Sequence, residues 1–261
     1  GVEVRTGVEV GRDITADELL RDFDAVFLGV GMGPVPPLGI PGEDLKGVTE
    51  ALSFIAATKL AEKDGLERLR ELPVGRQVAV IGAGNTAIDA ATIAKRLGAE
   101  CVTIVYRRGE DEMPAYDFEV AFIRNEGVEF RFFSQPVRIV GEGGRVTGLE
   151  CLRVELGPPG PDGRALPQPV PGSEWLLPCD QVIKAIGQEK LLDLYAHFGL
   201  EQARGYVKVD DELRTSNPKV FAGGDCVRVV GDAMTVTATQ DGKRAARAIH
   251  AQLGAAALAA D

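Results

Sequence analysis

The sequence predicts an α/β fold, a Rossmann-like parallel βαβ core with an appended antiparallel β-meander. Two observations carry the core. A strand from Val78 runs into the turn Gly82-Ala83-Gly84-Asn85-Thr86-Ala87 and a small-residue helix that Gly98 stops. A second strand, Cys101 to Tyr106, follows it, rich in β-branched and aromatic residues as a buried parallel strand requires. A third observation carries the meander. Val128 to Val140, Arg145 to Leu156 and Leu176 to Ile186 read as strands, the first two separated by Gly141-Glu142-Gly143-Gly144.

From the N-terminus, VEVRTGVEVG alternates like strands, and Thr15-Ala16-Asp17-Glu18 is a capping box that opens a short helix through Leu20. Asp24 to Leu28 is a strand entering Gly29-Val30-Gly31-Met32-Gly33. Pro34, Pro36 and Pro37 follow, so no helix propagates from this second glycine cluster and it reads as a strand-terminating turn. Ile40 to Asp44 crosses to an amphipathic stretch, Val48 to Leu60, and a charged helix-like connection to Glu71. Beyond the core, a helix spans Tyr116 to Asn125 and stops at Gly127. The proline-rich run GPPGPDGRALPQPVPG reads as a surface loop between two strands of the meander. Leu191 to Leu200 then predicts a helix, Gly205 to Val209 a short strand, Lys219 to Ala222 a strand, and Thr235 to Leu253 a final helix that Gly254 ends.

Within the core, the glycine turn has the chemistry of a dinucleotide site. Gly82 permits the tight turn out of the strand, Gly84 lets backbone approach a pyrophosphate, and Ala87 keeps helix and sheet close. Asn85 and Thr86 are cap-type residues at a helix start, where unpaired N–H groups and the helix dipole attract phosphate. Ala87, Ala91 and Ala94 give the helix a flat packing face. The end of the second strand discriminates between cofactors. An acid there binds the ribose 2′-hydroxyl of NAD, but this chain carries Arg107-Arg108, whose guanidinium forks suit the 2′-phosphate of NADP(H). Pairing of those arginines with Glu110, Asp111 and Glu112 is the alternative, and would leave NAD equally acceptable.

Composition narrows the function classes. The chain has 261 residues, 45% of them hydrophobic, with a net charge of −10, which argues against nucleic acid or an anionic membrane as partner. With no apolar run long enough for a membrane span and no signal-peptide pattern, a cytoplasmic location is expected. Cys101, Cys151, Cys179 and Cys226 are dispersed and read as buried small hydrophobes, without cluster or zinc spacing. His197 and His250 are isolated, so no metal site is expected and chemistry must come mostly from cofactors.

Six segments in order then become specific: DAVFLGVG (Asp24–Gly31), IPGEDLKGV (Ile40–Val48), VIGAGNTAID (Val80–Asp89), VYRRGEDEMPA (Val105–Ala115), VIKAIGQ (Val182–Gln188) and SNPKVFAGGD (Ser216–Asp225). Together they resemble the small subunit of glutamate synthase and its relatives, including the flavin module of dihydropyrimidine dehydrogenase. The resemblance implies an NAD(P)H domain, residues 51–187, inserted in a partial FAD-binding Rossmann-like domain made of residues 1–50 and 188–261. It implies hydride passing from NADPH to FAD and then as electrons to an iron–sulfur or large-subunit partner. It assigns Gly29 and Gly31 to the strand-end turn beside FAD, Gly187 to the domain junction, and Gly224 and Asp225 to the flavin ribityl chain. It also turns the helix start near Thr235, Val236 and Thr237 toward the flavin pyrimidine. The family's first FAD fingerprint and cluster cysteines lie ahead of the segments matched here. The resemblance therefore implies a truncated FAD domain, weakened FAD binding and an exposed edge that favours homo-oligomers. Three functions stay open: a glutamate synthase-like electron-input module, a module feeding pyrimidine reduction or ferredoxin, and an NADP(H)-binding fragment without turnover.

Overall fold

A computed structural model describes residues 1–160, 163–228 and 234–258, with side chains through residue 254. The capping box folds as predicted: the Glu18 N–H donates to the Thr15 hydroxyl at 3.2 Å, and the Thr15 N–H donates to the Glu18 carboxylate at 2.8 Å. It opens α1 (Ala16–Asp22), which leads to β1 (Val26–Leu28). Next come β2 (Val48–Glu50), α2 (Ala51–Asp64), α3 (Leu66–Arg70), β3 (Gln77–Ile81), α4 (Asn85–Arg96), β4 (Cys101–Val105), α5 (Asp117–Asn125) and β5 (Glu129–Arg131). The meander follows as β6 (Ser134–Glu142), β7 (Arg145–Pro159), β8 (Ala165–Pro169) and β9 (Trp175–Pro178), and β10 (Gln181–Lys184) returns to the core. The chain ends with α6 (Leu192–His197), β11 (Gln202–Ala203), β12 (Tyr206–Val207), β13 (Val220–Ala222) and α7 (Thr235–Leu258).

The chain forms two compact units, Val35–Gly187 and Gly1–Pro34 with Gln188–Asp261. In the first, β2-β10-β3-β4-β5 make an all-parallel five-stranded sheet, and β6, β7 and β8 make an antiparallel layer in which β9 also pairs with β7. The predicted small-residue face of α4 is real: Ala87, Ala90, Ala91 and Ala94 have no exposed surface and pack with Val80, Ile104 and Ile183. On the other side of the sheet, Ala79, Ile81, Val105 and Val182 join Leu149 and Cys151 of the meander. In the second unit, β1 pairs in parallel with β13, and Leu28, Tyr195, Phe198, Val220 and Ala222 form its core. Its two chain segments are stitched by hydrogen bonds, the Gly33 N–H to the Glu189 carbonyl at 2.8 Å and the Gln188 amide to the Gly33 carbonyl at 2.8 Å.

Several expectations are corrected. VEVRTGVEVG forms no strand, only an isolated Val10–Ile14 bridge, because every residue in it is exposed and no other strand runs beside it among the described residues. By contacts the chain divides after Pro34, and Val48–Glu50 is an edge strand beside β10. The stretch expected as one strand from Val128 to Val140 splits into β5 and β6 at Phe133, whose φ of 50° breaks the extended run. Leu176 to Ile186 likewise divides, with β9 antiparallel in the meander and β10 parallel in the core. Asp180 fixes the break by accepting from the Arg76 and Gln77 N–H groups at 3.0 and 2.9 Å. The proline-rich loop contains an edge strand, β8, where missing N–H donors are tolerated; its Pro161 and Asp162 lie outside the described residues. Gly254 does not end the last helix, which runs to Leu258. Cys101 is exposed, whereas burial pushes the Cys151 and Cys179 thiols up to about 12, so those two are inert.

Candidate nucleotide sites

The glycine turn lies at the carboxyl ends of β3 and β4, where ligands bind in open parallel sheets. Gly82 has a φ of 119°, and a Cβ there would overlap the Ala185 carbonyl oxygen. Its N–H donates to the Val105 carbonyl at 3.0 Å, which holds the turn against β4. Gly84, rather than Asn85 or Thr86, is the residue capping α4. Its carbonyl accepts from the N–H groups of Ala87 and Ile88 at 2.8 and 3.1 Å, while the N–H groups of Asn85 and Thr86 have no partner among the described residues. Asn85 is occupied differently: its side-chain oxygen accepts from the Tyr116 N–H at 3.3 Å and ties the start of α5 to the turn. Thr86 is half-buried and Ala87 is completely buried against the sheet. Two open donors thus stand at the positive end of a 12-residue helix.

Arg107 and Arg108 part company. Arg107 is exposed, with no ion pair or hydrogen bond among the described residues. Arg108 is 6% exposed, and its Nε donates to the Ala165 carbonyl of β8 at 3.0 Å, so it fastens the meander to the end of β4. The alternative pairing with the acids behind them does not form. Glu110 pairs with Arg124 at 2.7 Å, and Glu112 accepts from the Gly109 N–H at 2.9 Å.

A cleft of about 500 Å³ in the other unit is lined by Gly29, Gly31, Gly224, Asp225, Thr235 and Thr239, among others. Gly31 and Gly224 have φ values of 64° and 76°, and the Asp225 carboxylate has no partner among the described residues. Val236 is 68% exposed, and neither it nor Thr237 lines the cleft; Thr235, Ala238 and Thr239 do. Gly187 has a φ of 96° on the segment leaving β10. Sequence reasoning missed Asp241. Buried on α7, it accepts from the Gly224 N–H at 3.0 Å and from Arg228 at 2.6 Å, and so shapes the turn that presents Asp225. No local motif marks it, because its partners lie 13 and 17 residues earlier.

A second missed cluster is Lys184, Glu43 and Glu50. The mostly buried Lys184 ammonium donates to Glu43 at 2.6 Å and lies 3.9 Å from Glu50. The N–H groups of Leu38 and Gly39 also donate to Glu43. Burial alone would raise the Glu43 carboxyl, but Lys184 and these two donors outweigh it and hold the group below its ordinary range.

A glycine turn at the ends of a parallel sheet in one unit, and a strand-end carboxylate in a cleft of the other, define a two-unit α/β protein of the dinucleotide-binding class. The particular family follows from comparison: the chain belongs to the pyridine nucleotide-disulphide oxidoreductases, whose family model matches residues 2–251. It is 42% identical over 264 residues to the glutamate synthase (NADPH) small chain of Halomonas elongata, covering 95% of this chain and 54% of that one. It is 39% identical over 280 residues to the NADPH-Fe(3+) oxidoreductase subunit beta of Geobacter sulfurreducens, covering 96% of this chain and 40% of that one. The chain therefore spans about half, or less, of the length of these relatives. The resemblance to the glutamate synthase small chain seen in the motifs is thus shown across nearly the whole sequence. The fold matches Mycobacterium tuberculosis FprA in complex with NADPH, with a TM-score of 0.72 at 22% identity over 97% of this chain and 69% of that one. It also matches T. acidophilum thioredoxin reductase, with a TM-score of 0.67 at 23% identity over 87% of this chain and 65% of that one. Among the described residues, no helix is long and apolar enough to cross a membrane.

Proposed function

We propose that this chain is the NADPH-consuming, FAD-linked module of a glutamate synthase small-chain-like oxidoreductase. One observation carries the proposal: an open helix N-terminus, a glycine backed by a carbonyl and an unpaired Arg107 meet the needs of one ligand, a dinucleotide with a 2′-phosphate. Gly82 and Gly84 let the backbone approach the pyrophosphate, and the N–H groups of Asn85 and Thr86 donate to it. Arg107 takes the 2′-phosphate, while Arg108 serves by holding β8 in place.

The residues of the second unit fit a flavin. Asp225 accepts from ribityl hydroxyls, Gly29 and Gly31 leave room beside the turn, and the first turn of α7, from Thr235, offers N–H groups to a pyrimidine oxygen. Val236 and Thr237 belong to that first turn, whereas Gly187 closes the other unit, Val35–Gly187. When bound, NADPH supplies a hydride and FAD accepts it and releases electrons one or two at a time. The chain's own contribution is placement and electrostatics, consistent with two histidines in the whole sequence.

The electron acceptor is proposed to be a partner subunit, iron–sulfur-bearing or a glutamate synthase large chain, because the relatives include the small chain or the beta subunit of an assembly. The test is a side-by-side titration of the purified chain with NADPH and NADH, with and without added FAD, followed in the visible spectrum. Preferential NADPH binding with bleaching of bound FAD supports the proposal. Equal affinity for NADH and NADPH would overturn the 2′-phosphate assignment, and NADPH binding without flavin uptake would reduce the chain to a nucleotide-binding module.

A further inference from the structure

The edge of the five-stranded sheet opposite the glycine turn holds a second cavity, of about 450 Å³, where β2, β10 and β3 begin against the α2 face carrying Phe54 and Thr58. Phe54, Leu72 and Val74 give it an apolar wall. Lys46 and Arg145 lie along its rim as partners of one β-bridge, held by hydrogen bonds from the Lys46 N–H to the Gly144 carbonyl and from the Val146 N–H to the Lys46 carbonyl, both 3.0 Å. Two cations therefore stand side by side, and among the described residues neither forms an ion pair or a side-chain hydrogen bond. Like charges at paired positions repel, and an anion between them removes the conflict. Asp180 also lines the cavity, but its oxygens accept from the Arg76 and Gln77 N–H groups and it forms no ion pair with Lys46 or Arg145 among the described residues.

Gln181 supplies an independent observation. It is 8% exposed, and its side-chain oxygen accepts from the Gly75 N–H at 2.7 Å, which fixes the amide's orientation. Its NH₂ group has no acceptor among the described residues, and the residue lines the cavity. The amide nitrogen is not among the buried side-chain atoms left without a partner, so it reaches open space, where a ligand oxygen or water can accept from it.

We propose that this cavity binds a small organic carboxylate. Lys46 and Arg145 receive the charge, the Gln181 amide donates to an oxygen of the ligand, and the apolar body rests on Phe54, Leu72 and Val74. The site is separate from the glycine turn: Gln181 begins β10, whereas Ala185, which backs Gly82, follows its other end.

The experiment uses hexanoate, hexan-1-ol and hexylammonium as probes of one apolar body with three head groups, titrated into the full chain and followed by saturation-transfer NMR. Hexanoate is expected to bind about tenfold or more tightly than the alcohol, with no binding of the amine. Lys46→Ala with Arg145→Ala, both on exposed side chains, is expected to erase the hexanoate preference. Gln181→Glu, which keeps an acceptor for Gly75 but presents a carboxylate to the ligand, is expected to abolish hexanoate binding. Thermal unfolding and NADPH titration of the variants report whether they fold. Equal binding of alcohol and carboxylate, undiminished hexanoate binding in the folded double variant, or no hexanoate binding by the parent chain, as for a cavity that holds water alone, overturns the proposal.

Discussion

Arg107 and Arg108 are adjacent in sequence and opposite in environment, and that difference separates their effects. Arg107→Ala is expected to weaken NADPH by about tenfold to a hundredfold, the loss of a charge-assisted contact to phosphate, while leaving NADH and thermal stability unchanged. Arg108→Ala removes the buried bond to Ala165 and is expected to lower the unfolding temperature, with NADPH and NADH weakened together or not at all. Fluorescence titrations with both nucleotides beside a melting curve decide the pair, and an NADPH-selective loss in the Arg108 variant alone would reverse the assignment. The sequence carried the two residues as one motif because a strand end does not reveal which side chain turns inward. That depends on β8, which approaches from 57 residues away. Gly82 was legible for the opposite reason: its conformation and its lack of a Cβ are both local demands of the turn, and Gly82→Ala is expected to cost roughly 2 kcal/mol or more and to abolish nucleotide binding, as read by denaturant unfolding and the same titration.

Elements with a strong period were legible, and elements defined by distant partners were not. α4 showed its small-residue stripe and β3 and β4 their apolar runs, so the parallel core followed from the sequence. The apolar stretch from Leu176 to Ile186 reads as continuous, yet its halves serve different sheets because Asp180 caps the loop before β3. In the same way Lys184, at the end of β10, looks out of place in a core strand until Glu43 and Glu50 arrive from the segment before α2. This cluster makes a pH-dependent contribution. The Glu43 carboxyl is held below its ordinary range in the folded chain, so its stabilisation is complete at neutral pH. It declines as pH drops below the usual glutamate range, and is gone below the depressed folded value. Glu43→Gln is expected to destabilise the protein by roughly 3 kcal/mol at pH 7, toward the lower end for removing one partner of a buried pair, and to flatten the acid limb of the stability profile. Urea unfolding of both proteins across the acid range checks it; parallel pH profiles would show that Glu43 does not titrate with folding.

At the scale of the whole molecule, the two units differ in how the chain builds them. Val35–Gly187 is one continuous segment that closes its own core on both faces of the parallel sheet, whereas the other unit is assembled from the two ends of the chain. Every residue proposed to take NADPH belongs to the continuous segment, and Asp225 and its cleft belong to the other. An excised Val35–Gly187 chain is therefore expected to fold and to bind NADPH with an affinity close to that of the full chain. At an NADPH concentration 100 times its Kd, linkage predicts about 2.7 kcal/mol of added stability, a rise of about 5–10 °C in the melting temperature for a unit of this size. In the full chain, Asp225→Ala is expected to abolish flavin uptake and leave the NADPH titration where it was. Calorimetry of the excised and full chains measures both outcomes. Loss of NADPH binding in an excised chain that still melts cooperatively, or a change in NADPH affinity on replacing Asp225, would mean that the dinucleotide site draws on residues outside the continuous segment.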